Sequence, residues 1–261
     1  MAKEASARAE IERRLEAIRH EEDISYLLAI ESGSRAWGFP SPNSDYDVRF
    51  IYHRGARDYL SLQPQRDVVE RPIVDDFDVN GWDIAKTLRL LLNHNAVVSE
   101  WLDSPIRYLA EAPEVAGLRS LVDRFFNARG YALHYANLGA NQVQRWLKDE
   151  PSVPAKSYFY ALRPALCIRA LRLDPARRPP MRLQDLMLAT DLDPELVRII
   201  EDLIEVKANA REKAPTQRSA RLEALVTDEL QRADEVPERC DDAAFAREVD
   251  AFFVELVLAR A

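Results

Sequence analysis

The feature that most constrains this chain is a short apolar run that ends in a glycine turn and is soon followed by two carboxylates. Ile24 to Ile30, with Tyr26, Leu27, Leu28 and Ala29 between them, is apolar enough to be a buried strand. Glu31-Ser32-Gly33-Ser34 ends it, a short helix is predicted from Ser34 to Trp37, and Pro40 to Asn43 closes that helix with turn chemistry. Ten residues separate Gly33-Ser34 from Asp45-Tyr46-Asp47, which opens a second predicted strand running to Tyr52. Strand alternation puts Tyr46, Val48 and Phe50 on one face and Asp45, Asp47, Arg49 and Ile51 on the other. Two carboxylates held side by side repel, so the pattern calls for a cation between them. A hard divalent ion with oxygen ligands, shared with nucleotide phosphates, fits that need. Of seven glycines, Gly33 and Gly38 fall in this one stretch, where the backbone needs unusual torsions or close ligand approach.

The bulk composition narrows the classes. At 261 residues, with 47% hydrophobic and 31% charged side chains, the chain reads as an ordinary globular protein with ample length for a core. Its 36 basic and 44 acidic side chains give a formal net charge of −8. That argues against non-specific DNA coating and leaves room for a local basic groove. The two cysteines, Cys167 and Cys240, lie far apart and match no metal pattern. With no apolar signal core and no membrane-length run, the expectation is a soluble, cytoplasmic protein without a membrane partner.

Further along, Ile11, Leu15 and Ile18 mark an amphipathic helix over residues 4–20, and Val68–Val74 and Asp76–Val79 read as two more short strands. A helix is expected from near Trp82. Beyond it the pattern is almost wholly helical, over about 97–102, 113–127, 130–148, 154–173, 193–213, 217–233 and 242–260. The fold class expected is α+β. A small mixed β-sheet core with helices occupies residues 1–110, and an all-helical carboxy-terminal domain occupies residues 111–261.

Gly33-Ser34, ten intervening residues, then Asp45-x-Asp47 resembles the signature of the DNA polymerase beta nucleotidyltransferase superfamily. The longer strings Gly33-Ser34-Arg35-Ala36-Trp37-Gly38 and Ser44-Asp45-Tyr46-Asp47-Val48-Arg49-Phe50 narrow this. So do Asp78-Val79-Asn80-Gly81-Trp82-Asp83, Glu100-Trp101-Leu102-Asp103-Ser104-Pro105 and Tyr158-x-Tyr160-Ala161-Leu162-Arg163-Pro164. Together they are similar to the YcgL-type bacterial nucleotidyltransferases, also called the RNA-repair-pathway polymerase-beta family.

The resemblance implies that Gly33 and Ser34 hold a triphosphate, with Arg35 and Ser44 beside them, and that Asp45 and Asp47 bind Mg²⁺ or Mn²⁺. A third carboxylate on a neighbouring strand completes such sites. Alternation favours Asp78, with Asp76 close behind, while Asp83 suits a helix start. Arg49 shares the aspartate face, either toward substrate or in a salt bridge to Asp47 or Asp78. Lys86 lies one turn into the following helix, toward substrate or solvent. The family implies an NTP substrate, an RNA 3′ end as acceptor and association with an RNA ligase. Transfer to a protein or small molecule, or a non-catalytic nucleotide-binding module, are the alternatives. Lys156, Arg163, Arg169 and Arg172, with Tyr158 and Tyr160, form either a basic aromatic groove or a core helix with a basic solvent face.

Overall fold

Ile11, Leu15 and Ile18 form the buried face of α1 (Ala2–Glu22), the helix their spacing predicts, in a computed structural model that describes residues 2–146, 152–209, 215–238 and 241–259. The apolar run that follows becomes β1 (Ser25–Ser32), leading through the four-residue helix α2 (Gly33–Ala36) to β2 (Tyr46–His53), antiparallel to β1. After α3 (Ala56–Tyr59) and β3 (Val68–Glu70) comes β4 (Phe77–Asp83), which runs parallel to β2. The sheet order is β1-β2-β4-β3. The helices α4 (Ile84–Leu92), α5 (Ala96–Leu102) and α6 (Val115–Arg124) then cover one face.

Alternation sorts the strand residues as the sequence predicts. Ala29, Val48, Phe50, Phe77 and Val79 pack toward Ile11, Leu15 and Ile18 of α1. Leu28, Ile30 and Ile51 pack the other way, with Ile84, Leu88, Trp101 and Val122 of the covering helices. Each such buried aliphatic side chain contributes about 1.5–3 kcal/mol. On that second face, β2 and β4 begin polar (Asp47, Arg49; Asp78, Asn80) and end apolar (Ile51; Trp82), with Trp82 stacked 3.9 Å from Trp101.

The strand expected over Val68–Val74 is shorter, stopping at Glu70, and the next is longer, running from Phe77 to Asp83. Asp75 and Asp76 intervene with φ of +55° and +64°. This left-handed turn suits short polar side chains and cannot continue a strand.

In the carboxy-terminal part, α7 (Ala128–Trp146), α8 (Ala155–Leu173), α9 (Leu183–Leu188), α10 (Pro194–Asn209) and α11 (Ala220–Gln231) are joined by a strand pair the sequence does not announce. β5 (Ser152–Pro154) pairs antiparallel with β6 (Pro215–Gln217). Cys167 is buried in α8, while Cys240 lies outside the described residues. The last helix, α12 (Asp242–Leu258), starts at Asp241, whose carboxylate accepts from the Ala244 N–H. Its Phe245 stacks on Phe125 at 4.9 Å, and Phe245 and Val249 join the core on the second face of the sheet.

The chain forms two compact units. One comprises Met1–Gly33, Asp45–Phe125 and Cys240–Ala261, the other Ser34–Ser44 and Phe126–Arg239. Both are therefore discontinuous in sequence. The whole is a mixed α/β protein with a small four-stranded mixed sheet. Among the described residues no helix is long and apolar enough to cross a membrane.

Candidate active site

Within the first unit, the strand-end residues converge. Gly33 leaves β1 with φ +63°, and a Cβ placed on it would lie 2.0 Å from Asp47 Oδ2 and 2.7 Å from Asp47 Cγ. A bare Cα with a left-handed torsion is what leaves room for that carboxylate. Asp47 and Asp78 are register partners on the parallel strands β2 and β4, so their side chains stand abreast on one face. Asp45 lies two residues before Asp47, just ahead of β2, and is half-buried.

Arg49 links the two strand aspartates. Its Nη2 donates to Asp78 Oδ2 at 2.7 Å and to Asp47 Oδ1 at 3.4 Å, and its Nη1 donates to the carbonyl oxygens of Asp78 (2.8 Å) and Val48 (3.0 Å). Asn80, the register partner of Arg49, donates from Nδ2 to Asp78 Oδ1 at 2.5 Å. Both oxygens of Asp78 are thus engaged.

The three candidates for the third carboxylate separate by position. Asp78 is the one beside Asp47. Asp76 is exposed in the left-handed turn, where its backbone carbonyl accepts from the Tyr46 N–H at 2.8 Å. Asp83 lies at the far end of β4 as the N-cap of α4, accepting from the Ala85 N–H (2.8 Å) and the Tyr59 hydroxyl (3.0 Å). Burial raises its pKa, opposed by those two hydrogen bonds. Lys86 sits 3.8 Å from Asp67.

Glu31 is a residue that the motif does not name. It is fully buried; its Oε1 accepts the Asp47 N–H at 3.0 Å, and its Oε2 accepts the Tyr108 hydroxyl at 2.5 Å. Ser104 Oγ donates to its carbonyl oxygen at 2.6 Å. A buried carboxylate that engages its neighbour's backbone fixes where the strand begins. The one sequence signal for it was a charge closing an otherwise apolar strand.

In the second unit, the loop Ser34–Ser44 is held from within. Ser34 Oγ donates to Ser44 Oγ at 3.1 Å, Ser44 Oγ also accepts from the Ser41 N–H at 2.9 Å, and Arg35 Nη2 donates to the Ser44 carbonyl at 2.7 Å. Both Ser34 and Ser44 are buried. The Tyr158–Pro164 string meets this same loop: Phe159 stacks on Phe39 at 4.3 Å, Tyr160 meets the Trp37 ring edge-on at 5.2 Å, and the Arg163 guanidinium lies over that ring at 4.6 Å. Lys207, buried, donates to the Phe39 carbonyl at 3.0 Å. Two strings far apart in sequence thus form one packed assembly.

The arginines of α8, read as either a basic aromatic groove or the solvent face of a core helix, turn inward. Arg163 is buried, with its Nε donating to the Met181 carbonyl at 3.1 Å. Arg169 and Arg172 bind the fully buried Glu229 at 2.6 and 3.0 Å. Buried carboxylates need such partners, and here they draw the arginines inward.

Among the described residues no three carboxylate, histidine or cysteine side chains are already gathered as a metal cage. The chemistry of the donors still suits a hard divalent ion: Asp47 and Asp78 offer carboxylate oxygens in register, with side chains 24% and 18% exposed, beside a glycine whose missing Cβ leaves room for the Asp47 carboxylate.

A small mixed sheet with a glycine turn facing in-register carboxylates is the arrangement expected of a polymerase-beta-like nucleotidyltransferase. The chain belongs to the RNA repair pathway DNA polymerase beta family, whose model it matches over residues 7–255. It is 37% identical over 218 residues to the protein YcgL of Bacillus subtilis (strain 168), an alignment covering 84% of this chain and 83% of that one. A crystal structure of a nucleotidyltransferase-like protein from Exiguobacterium sibiricum 255-15 is a far looser likeness, with 12% identity, a TM-score of 0.30, and coverage of 96% of this chain and 80% of the other.

Proposed function

We propose that the protein is a metal-dependent nucleotidyltransferase that moves a nucleoside monophosphate from an NTP to an acceptor hydroxyl, with an RNA 3′ end as the acceptor. The observation that carries the reading is the pairing of Asp47 with Asp78 in register, next to a glycine whose missing side chain leaves space for the Asp47 carboxylate. Family membership supports the same class of chemistry.

In this reading Asp45, Asp47 and Asp78 hold Mg²⁺ or Mn²⁺. When bound, the ion neutralises phosphate charge and lowers the pKa of the attacking hydroxyl. The backbone at Gly33 gives the triphosphate a close approach. Glu31 fixes Asp47 through its backbone N–H, and Asn80 orients the Asp78 carboxylate. Ser34, Arg35 and Ser44 keep the loop that follows Gly33 in one shape. The acceptor oxygen attacks the α-phosphorus, the bond to the bridging oxygen breaks, pyrophosphate departs and the acceptor proton passes to solvent. Alignment and charge neutralisation, rather than covalent catalysis, supply the rate.

One observation favours a second reading, a non-catalytic nucleotide-binding module: Arg49 already partly neutralises the carboxylate pair. Incubation with each α-labelled NTP, Mg²⁺ or Mn²⁺ and a mixed RNA pool separates the two. Label on RNA that disappears in Asp47→Asn supports transfer and names the base. Label on protein redirects the acceptor. Nucleotide binding without label on any acceptor supports the module.

A further inference from the structure

We propose that Arg49 is a positioning residue that makes metal loading depend on nucleotide, an inference that rests on the metal-site reading above. Arg49 reaches the aspartate face from the same strand as Asp47, two residues on, and its guanidinium is anchored rather than draped. Nη1 is bonded to two backbone carbonyls, of Asp78 and Val48, and Nη2 to both carboxylates. The side chain is only 19% exposed. Withdrawing it would leave two carbonyls without their present donor, so it stays close when an ion arrives.

That anchoring has an electrostatic consequence. Asp47 and Asp78 both pair with the Arg49 guanidinium, so a divalent ion entering alone meets a carboxylate pair already partly neutralised. It also meets a fixed cation within contact distance of its own ligands. Asp78 has one oxygen on Arg49 and the other on Asn80, and must share lone pairs to bind the ion. Like charges that close disfavour each other strongly in a partly buried site. A triphosphate reverses the balance, because its oxygens bind both the ion and the guanidinium. Arg49 therefore holds the carboxylates in register without metal, disfavours metal alone and favours metal that arrives with a polyphosphate.

Equilibrium dialysis of Mn²⁺ against the full chain, with and without inorganic tripolyphosphate, tests this without reference to turnover. The wild type is expected to bind Mn²⁺ weakly alone and on the order of ten-fold more tightly with tripolyphosphate. Arg49→Gln is expected to bind Mn²⁺ alone about ten-fold more tightly than wild type, with little further gain from tripolyphosphate. Arg49→Lys, which keeps the charge, should stay near wild type. A purely architectural role predicts the opposite sign, since losing the strut would loosen the site and weaken binding.

Equal or weaker Mn²⁺ binding by a folded Arg49→Gln overturns the role given to Arg49 and leaves the metal site standing. If that variant does not fold, the wild type decides: binding of Mn²⁺ that tripolyphosphate does not enhance overturns the coupling. Absence of Mn²⁺ binding to folded wild type under both conditions removes the metal reading, and this inference with it.

Discussion

Replacing Gly33 with alanine is the most direct test of the way β1 delivers the chain to the carboxylates. Two separable costs follow from its position. A side chain at φ +63° adds about 1–2 kcal/mol of backbone strain. For a chain of this length that lowers the melting temperature by about 2–4 °C per kcal/mol. The second cost falls on the site. The new Cβ would sit 2.0 Å from Asp47 Oδ2, where ordinary contact begins at 3.4 Å, so the carboxylate must retreat by the difference, 1.4 Å. Misplacement of a reacting group by about 1 Å costs on the order of 100-fold in rate. The assay is NTP-dependent labelling of RNA, run beside a thermal melt. Gly55→Ala is the control, because its Cβ would meet only Asp58 Oδ2 at the ordinary distance of 3.6 Å. Loss of transfer in Gly33→Ala with a melt only a few degrees lower supports the argument. Wild-type transfer with an unmoved melt refutes it.

The remaining predictions concern charges. Asp78→Asn should fold and lose transfer by about 100-fold or more, whereas Asp83→Asn should keep transfer, as comparison of single-turnover rates will show. Asp83 also has a pH signature. Because burial raises its pKa, the folded state holds the proton longer than the unfolded chain, and stability falls as pH rises from the ordinary aspartate value through the raised one. Asparagine caps a helix as well as aspartate and has no proton to lose, so Asp83→Asn should gain on wild type across that window in urea melts at stepped pH. A constant difference across the window would contradict the assignment. Glu229→Gln removes the buried charge that Arg169 and Arg172 share and should cost about 3 kcal/mol by urea denaturation, with an unchanged m-value.

What the sequence disclosed depended on how local the cause was. Strand alternation at Asp47, Val48, Arg49 and Phe50 is a property of neighbouring residues, and the two faces of β2 follow it. The pairing of Asp47 with Asp78 needs the register between β2 and β4, yet alternation within Asp76-Phe77-Asp78-Val79 already singled out two aspartates. The sign of φ at Asp76 then separates them, and no periodicity encodes that sign. Glu31 does not stand out in the sequence because a carboxylate at the end of an apolar strand is legible as a turn signal, and its partners Tyr108 and Ser104 lie more than seventy residues away. Arg169 and Arg172 read as basic surface in the sequence because Glu229, which draws them inward, is 60 and 57 residues distant. The membership of α12 in the first unit is equally invisible to amphipathicity, which says that a helix has an apolar stripe and not which core receives it.

The interleaved units bear on how the chain folds as it leaves the ribosome. The first core includes Phe245 and Val249 from α12, so it remains incomplete until that helix, far downstream of β1, has emerged. The second includes Trp37 and Phe39, made early, whose partners Phe159, Arg163 and Lys207 emerge more than a hundred residues later. Neither unit can be finished by a contiguous segment, and long sequence separation between contacting residues slows folding. A fragment cut at residue 126 would carry Trp37 and Phe39 without the aromatic and basic residues that cover them. Each core therefore closes only when its distant segments meet, and chains interrupted before that point expose apolar surface that favours aggregation.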